Sequence, residues 1–254
     1  MNTLKLTSMT TFTLATYNIH KGFSHFNRRM VIYELRERLR ELNADIVFLQ
    51  EVQGKNVADA LRHSNYPAKP QHEFLAEHIW PHHAYGKNAV YDEGHHGNAI
   101  MSRYPITSWS NQDISAHRFE SRGLLHCKIS LPGVDAPLNC ICVHFGLFKR
   151  GRGQQLIALA EHIKQLIHAD APLVIAGDFN DWNNHASQFL AQELQVHEVF
   201  DASHGKLARS YPAGLPLLRM DRIYVRGLEI QHSHVYAWRK ISDHAALFTT
   251  LLLP

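Results

Sequence analysis

The chain has 254 residues, 45% hydrophobic and 19% charged, an ordinary globular composition that can bury a core without disulfide or metal staples. Lysine and arginine number 26 against 23 aspartate and glutamate, so a net charge of +3 gives no argument for a nucleic-acid or anionic-membrane partner by itself. No Pro/Gly/Ser-rich linker and no repeat at a fixed period divides the sequence, which excludes solenoids and propellers.

Residues 1–11 contain no continuous apolar run and are expected to be disordered or extended, ahead of one domain over 12–254. No stretch approaches the ~18 consecutive apolar residues of a membrane-spanning helix, and the expectation is a soluble, cytoplasmic, monomeric protein. Alternation through Phe12, Leu14, Tyr17 and Ile19 predicts a strand that runs into Asn18, His20, Lys21 and Gly22. Asn27 is a candidate cap for a helix with apolar positions Val31, Leu35, Leu39 and Leu42. Ile46–Leu49 is a short apolar run ending in Gln50 and Glu51, a second strand that delivers a polar end. Short helices over Lys55–His63 and Phe74–Trp80 come next, then strands Ala84–Tyr91 and Asn98–Ser102 around an EGHHG loop.

Residues 106–121 read as a loop. Strands Gly123–Ser130 and Leu138–Phe145 follow, and the second passes through Cys140 and Cys142, on one face, into His144. Three cysteines without zinc-type spacing fit buried free thiols in a reducing compartment. Leu156, Leu159, Ile163 and Leu166 make an apolar helical stripe, and that helix leads into PLVIAGDFND at Pro172–Asp181, a buried strand closed by a tight turn and carrying Asp178, Asn180 and Asp181. A helix over Phe189–Leu194, a proline-broken loop over Ser210–Leu218 and strands Met220–Arg226, Leu228–Trp238 and Ala245–Leu253 complete the chain. Asp221 lies in the first of these strands, and Asp243 and His244 stand just ahead of the last.

Polar side chains thus gather at or beside apolar strands: Asn18 and His20, Glu51, His144, Asp178 and Asn180, Asp221, and Asp243 and His244. Singly, each fits an Asx turn or a satisfied rim residue. Together the carboxylates would repel unless a cation or an imidazolium sat among them. The donors are mainly oxygen, which favours Mg²⁺ over zinc, and such a cation points to phosphoryl chemistry. A zinc hydrolase built on His82/His83 and His95/His96 is the weaker alternative, and a phosphate-binding module without hydrolysis is another.

The ordered set TYNIH, FLQE, GNAIMSRYPI, VHFGL, GDFND, MDRIYV and SDHAAL closely resembles the endonuclease/exonuclease/phosphatase superfamily over Thr16–Leu247. The resemblance implies a four-layer α/β sandwich, two mixed β-sheets packed face to face with helices outside and the active site at one edge. It also implies roles. Glu51 matches the principal Mg²⁺ ligand (Mn²⁺ as alternative) with Asn18 in its hydrogen-bonded shell, and Asp243 matches a second metal-side carboxylate. Asp178 matches the group that orients and deprotonates water, and Asn180 and His144 match donors to phosphate. His244 matches the imidazole at the scissile phosphate, with Asp221 holding its ring. Arg122 and Arg152 stand near positions that bind phosphate. One departure is His20, where some nucleases of the family carry an aspartate that ligates metal. The implied activity is hydrolysis of a phosphodiester in nucleic acid or in a phospholipid or sphingolipid headgroup, a phosphomonoester being the alternative. The loop aromatics Phe26, Phe119 and Trp182, with Phe23 and Trp109, suit a lipid contact as well as they suit core packing.

Overall fold

The computed structural model describes residues 9–254, so residues 1–8 of the expected N-terminal segment lie outside it, while Thr10 and Thr11 already belong to the first strand. One sheet holds β1 (Thr10–Asn18), β2 (Ile46–Asn56), β3 (His82–Tyr91), β4 (Gly94–Ser102), β11 (Glu229–Tyr236) and β12 (Ala246–Leu253), in the order β11-β12-β1-β2-β4-β3. The other holds β5 (Ile106–Asp113), β6 (Gly123–Ile129), β7 (Leu138–His144), β8 (Leu173–Asp178), β9 (His197–Glu198) and β10 (Asp221–Arg226), in the order β5-β6-β7-β8-β10-β9. Both are mixed, because β1 runs parallel to β2 and β7 parallel to β8 while the other pairs are antiparallel.

The period-2 rows decide which residues meet. Phe12, Leu14, Ile46, Phe48 and Ile100 of the first sheet face Leu125, Cys140, Cys142, Val174 and Ile223 of the second in a shared core. The three thiols are free and buried, and burial pushes them all upward, so they pack as small apolar groups. On the outer face of the first sheet, Ala15, Tyr17, Val47 and Leu49 pack under α1 (Ile32–Leu42) and α3 (Gln71–Ala76). On the outer face of the second, Ile141, Val143 and Ile175 pack under α4 (Lys149–Leu166) and α5 (His185–Leu194). Helix, sheet, sheet, helix is the expected four-layer sandwich, with α2 (Val57–Arg62) and α6 (Val199–His204) as shorter pieces.

Three local expectations are corrected. Residues 106–113 form edge strand β5 rather than a loop. Most of its side chains are exposed and polar, so no inward alternation marks it. The EGHHG loop shrinks to a turn at Asp92 and Glu93, because His95 and His96 already pair within β4. Helix α1 starts at Ile32 with Val31 as the flanking residue, several positions beyond the proposed Asn27 cap.

Candidate active site

The inner rows that build the core change chemistry at one end. Along β1 the row reads Phe12, Leu14, Thr16, Asn18; along β7, Leu138, Cys140, Cys142, His144; along β8, Val174, Ala176, Asp178; and along β10, Val225, Ile223, Asp221. Parallel β7 and β8 set His144 beside Asp178, and antiparallel β10 sets Asp221 on the other side of Asp178. Three polar groups from three strands therefore fall in one line. Gly177 makes the close approach possible: at φ +149° it sits so near β7 that a Cβ would lie 1.9 Å from the Val143 carbonyl oxygen.

Glu51 reaches the same place by a different route. Alternation would turn it outward with Val47 and Leu49, but Gln50 and Glu51 together stand opposite the single Asn98 of β4, a β-bulge. Glu51 takes φ +57°, a left-handed conformation that a non-glycine residue adopts only when its surroundings hold it. Val52 then resumes the outer row. The bulge keeps Gln50 in the core, donating to Thr16 Oγ1 at 3.2 Å, and re-aims the carboxylate into the cleft.

His20, Lys21, Glu51, His96, Arg122, His144, Asp178, Asn180, Tyr211, Asp243 and His244 line a cleft of about 430 Å³. A cavity of about 570 Å³ beside α6 and β11 is larger, but it gathers no carboxylate, so size does not locate the chemistry. Within the cleft Asp178 is the hub. Its Oδ1 accepts the Asn180 N–H at 2.9 Å and its Oδ2 accepts from Asn18 Nδ2 at 3.1 Å. The same oxygen stands 3.5 Å from His144 Nε2 and 3.7 Å from His244 Nε2. Asn18 ties the two sheets together, since Nδ2 also lies 3.4 Å from Glu51 Oε1. Asn180 spends one amide hydrogen on the Phe145 carbonyl at 2.9 Å, which leaves the second for a ligand.

His244 Nδ1 lies 2.8 Å from Asp221 Oδ2, and both groups are buried. Ser242 fixes the segment by donating to the Asn18 carbonyl at 2.7 Å and accepting the His244 N–H at 3.2 Å. Burial opposes a charge on His244, but Asp221, Asp178 and Asp243 outweigh it and raise the imidazole well above its usual range. Burial also raises Asp178, towards neutrality. His144 is held well down, first by burial and then by the Arg122 cation, so it is neutral. Burial lowers His96 to about 4, with Lys21 adding to the effect.

Asp178, Asp221 and His244 place three donor atoms within 4.8 Å of one another. With the ring cationic neither nitrogen has a lone pair, so the trio is a carboxylate–imidazolium–carboxylate chain rather than a chelate. The oxygen donors left for a cation are Glu51, Asp243 and the Asn18 carboxamide. Their chemistry fits a hard divalent ion, and the several carboxylates facing one imidazolium leave negative charge to neutralise. His20 Nδ1 lies 3.9 Å from Glu51 Oε2 and 3.5 Å from Asp243 Oδ1, a nitrogen donor between two carboxylates, and imidazole is a poorer partner for Mg²⁺ than a carboxylate.

The cleft thus gathers Asn18, Glu51, His144, Asp178, Asn180, Asp243 and His244, with Asp221 behind the imidazole, and Arg122 at its wall. Arg152 is not in the lining. It is buried, donates to the Leu147 and Gly146 carbonyls and lies under the Trp182 ring, so it braces a loop. Sequence reasoning missed Tyr211, named Lys21 at the strand end without giving it a role, and offered His96 only as half of a zinc pair. The pairing of His96 with Gln53, two residues past Glu51, was the signal for one of them, hidden while 95–96 read as a loop.

A family model described as Endonuclease/Exonuclease/phosphatase family matches residues 15–244. The uncharacterized protein YbhP of Escherichia coli (strain K12) is 44% identical over 244 residues, 95% of this chain and 96% of its own. Among solved structures, the mannosyl-6-phosphatase Bt3783 of Bacteroides thetaiotaomicron VPI-5482 is similar with a TM-score of 0.75 at 15% identity, over 94% of this chain and 99% of its own. The D. rerio protein TDP2, complexed with a single-strand DNA product, is similar with a TM-score of 0.71 at 18% identity, over 95% and 98%. At these identities the two structures bear on the fold alone.

Proposed function

The chain belongs to the endonuclease/exonuclease/phosphatase family, and from that premise we propose that it is a divalent-metal-dependent hydrolase that cleaves a phosphodiester in this cleft. The observation that carries the reading is the chain Asp221–His244–Asp178, a buried base beside a buried imidazolium with a neutral His144 alongside.

Asp178 accepts a proton from the attacking water as the new P–O bond forms and the bond to the leaving oxygen breaks. Its burial makes it a stronger base than a free carboxylate. Asn18 and the Asn180 N–H hold one oxygen each, which fixes the direction of the remaining lone pairs. His244, kept cationic and oriented by Asp221, presents Nε2–H to a non-bridging phosphoryl oxygen, where negative charge grows. His144 presents a neutral donor, and Asn180 its free amide hydrogen. Lys21 and Arg122 draw the anionic ester to the cleft. Glu51, Asn18 and Asp243 would hold a divalent cation, Mg²⁺ or Mn²⁺, which when bound would supply neutralisation of the negative charge that grows in the reaction.

The test is hydrolysis of a soluble aryl phosphodiester with Mg²⁺ or Mn²⁺, by native protein, chelator-treated protein and Asp178→Asn. Loss of turnover with chelation and with substitution supports the reading. A folded native protein that turns over neither this diester nor lipid and oligonucleotide diesters overturns it in favour of a phosphate-binding module.

A further inference from the structure

The connections at the cleft-bearing end of the sheets differ from the rest of the molecule in charge and in exposed apolar area. With the first turn of α4 they comprise residues 20–31, 92–93, 114–122, 145–152, 179–184, 205–220 and 237–245. They carry thirteen lysines and arginines against five aspartates and glutamates, while the remaining residues carry thirteen against eighteen. The small overall charge thus conceals a basic end, still so when Arg152, buried beneath its loop, is left out. Of its acids, Glu120 is turned inward, accepting from Ala116 N–H at 3.0 Å and from Gln155 Nε2 at 2.8 Å, and Asp181 is buried against the Ala186 N–H.

Seventeen large hydrophobic side chains are exposed among the described residues, and eight of them stand on these connections. None stands on the connections at the opposite end (43–45, 77–81, 103–105, 130–137, 167–172, 227–228), where Met9, ahead of β1, is the exposed one. Phe26, Phe119, Leu147, Phe148, Leu215 and Leu217 are each more than half exposed, on four loops around the cleft mouth. Arg118 lies over the Phe119 ring at 4.5 Å and Arg28 over Phe26 at 5.3 Å, so two of the rings carry a cation on their face. Apolar tips interleaved with cations, ringing a hydrolytic cleft, match a bilayer interface. The side chains enter the acyl boundary while the cations stay with anionic headgroups.

We propose that this end of the molecule docks onto an anionic phospholipid bilayer and that the ester delivered to the cleft is a lipid headgroup phosphodiester. The substrate assignment rests on the hydrolytic reading above; the docking does not. Single-stranded nucleic acid also meets cations and aromatics, but four of the eight exposed apolar groups are leucines, which offer no face for base stacking. Of the eight, Leu147 also lines the cleft, so the apolar tips are continuous with the site. Among the described residues no helix is long and apolar enough to cross a membrane, and the contact proposed is of this loop face with the bilayer surface.

The full chain is sedimented with phosphatidylcholine vesicles, with and without phosphatidylglycerol, and titrated with an oligothymidylate. Phe148→Asp and Leu217→Asp are compared with native protein; both positions are exposed and outside the cleft lining. The expected result is binding to the anionic vesicles that weakens with salt and drops ~10-fold or more in each variant. Turnover of the soluble aryl diester should be unchanged in both variants, while hydrolysis of vesicle lipid falls. Binding to the oligonucleotide but not to vesicles overturns the proposal, as does equal vesicle binding by all three proteins. Vesicle binding without hydrolysis of any ester leaves the docking standing and removes the enzymatic reading. Turnover without vesicle binding does the reverse.

Discussion

The two sheets contribute unlike halves to the cleft. The second sheet gives Asp178, Asp221 and His144, set in line by strand register and joined to His244 and Asn180 by hydrogen bonds of 2.8 and 2.9 Å. Its backbone takes positive φ at Gly177, where β7 comes close, and at one non-glycine residue, Asn180 (φ +49°). The first sheet gives Asn18 and Glu51, with His20, Lys21 and Asp243 from its flanking loops. There Glu51, His20 and Lys21 hold positive φ without being glycine, and the approaches of Glu51 and Asp243 to Asn18 and His20 are 3.4 Å or longer. One half is completed by the protein's own hydrogen bonds. The other has three non-glycine residues at positive φ against one, and its two carboxylates have looser side-chain contacts; it is the half to which the proposed function assigns the cation.

The largest expected effect is in the completed half. Asp178→Asn removes the base while keeping the shape, and turnover should fall by ~10²–10⁴-fold. A folded variant with unchanged kcat would take Asp178 out of the reaction. His244→Ala should cost a comparable factor, and Asp221→Ala should act through it, so the double variant should lose little beyond His244→Ala alone. Independent, multiplying losses would break the claim that this half works as one unit.

Next comes the cation. In the native protein Mg²⁺ or Mn²⁺ should raise the thermal midpoint, because it binds the folded state alone and relieves repulsion among Glu51, Asp243 and their neighbours. Glu51→Gln should abolish most of that rise, while His244→Ala should keep it. An equal rise in both variants would place the ion on the wrong half.

How much of this division was legible in the sequence follows from the same geometry. The second sheet's half was readable because its residues continue alternating rows: reading Val174, Ala176, Asp178 as one face locates the proposed base. Asn18 follows in the same way from Phe12, Leu14 and Thr16. Glu51 does not, since alternation sends it outward and only the bulge opposite Asn98 brings it back. Its place at the end of an apolar strand drew notice, but its role as a metal ligand came from the family resemblance alone. Arg152 was misplaced because helical spacing cannot tell a cation that faces the cleft from one turned beneath a loop. Strand β5 left no pattern because an exposed edge has no buried face to encode. The basic end was invisible because the total charge is an average, and only the topology decides which loops share an edge.

A smaller effect lies in pH. Burial raises the folded-state pKa of Asp178 above its unfolded value, so its contribution to stability is full below the ordinary carboxylate range. It is lost as pH rises through that range towards neutrality. His244 is also raised, and its contribution is lost at higher pH, from the usual imidazole range upward. Metal-free native protein should therefore lose stability through this site as pH rises, and Asp178→Asn should flatten the lower, acidic part of that fall. An undiminished slope in the variant would mean that other groups set it.

The finest distinction concerns backbone alone. Glu51→Ala removes the carboxylate but keeps a β-carbon at φ +57°, whereas Glu51→Gly also removes the steric conflict. Both lose the metal-side carboxylate, so both should be inactive, and their difference in stability isolates the strain. Without metal, Glu51→Gly should be more stable than Glu51→Ala by about 1 kcal/mol, or ~2–4 °C in thermal midpoint for a chain of this size. This gain is what remains after the extra entropy of a glycine in the unfolded chain is subtracted from the relief of a left-handed conformation. In the opposite half, Gly177→Ala should be strongly destabilising, because its β-carbon would meet the Val143 carbonyl oxygen at 1.9 Å. Were Glu51→Gly no better than Glu51→Ala, the bulge would be a relaxed turn, and the asymmetry between the halves would reduce to charge.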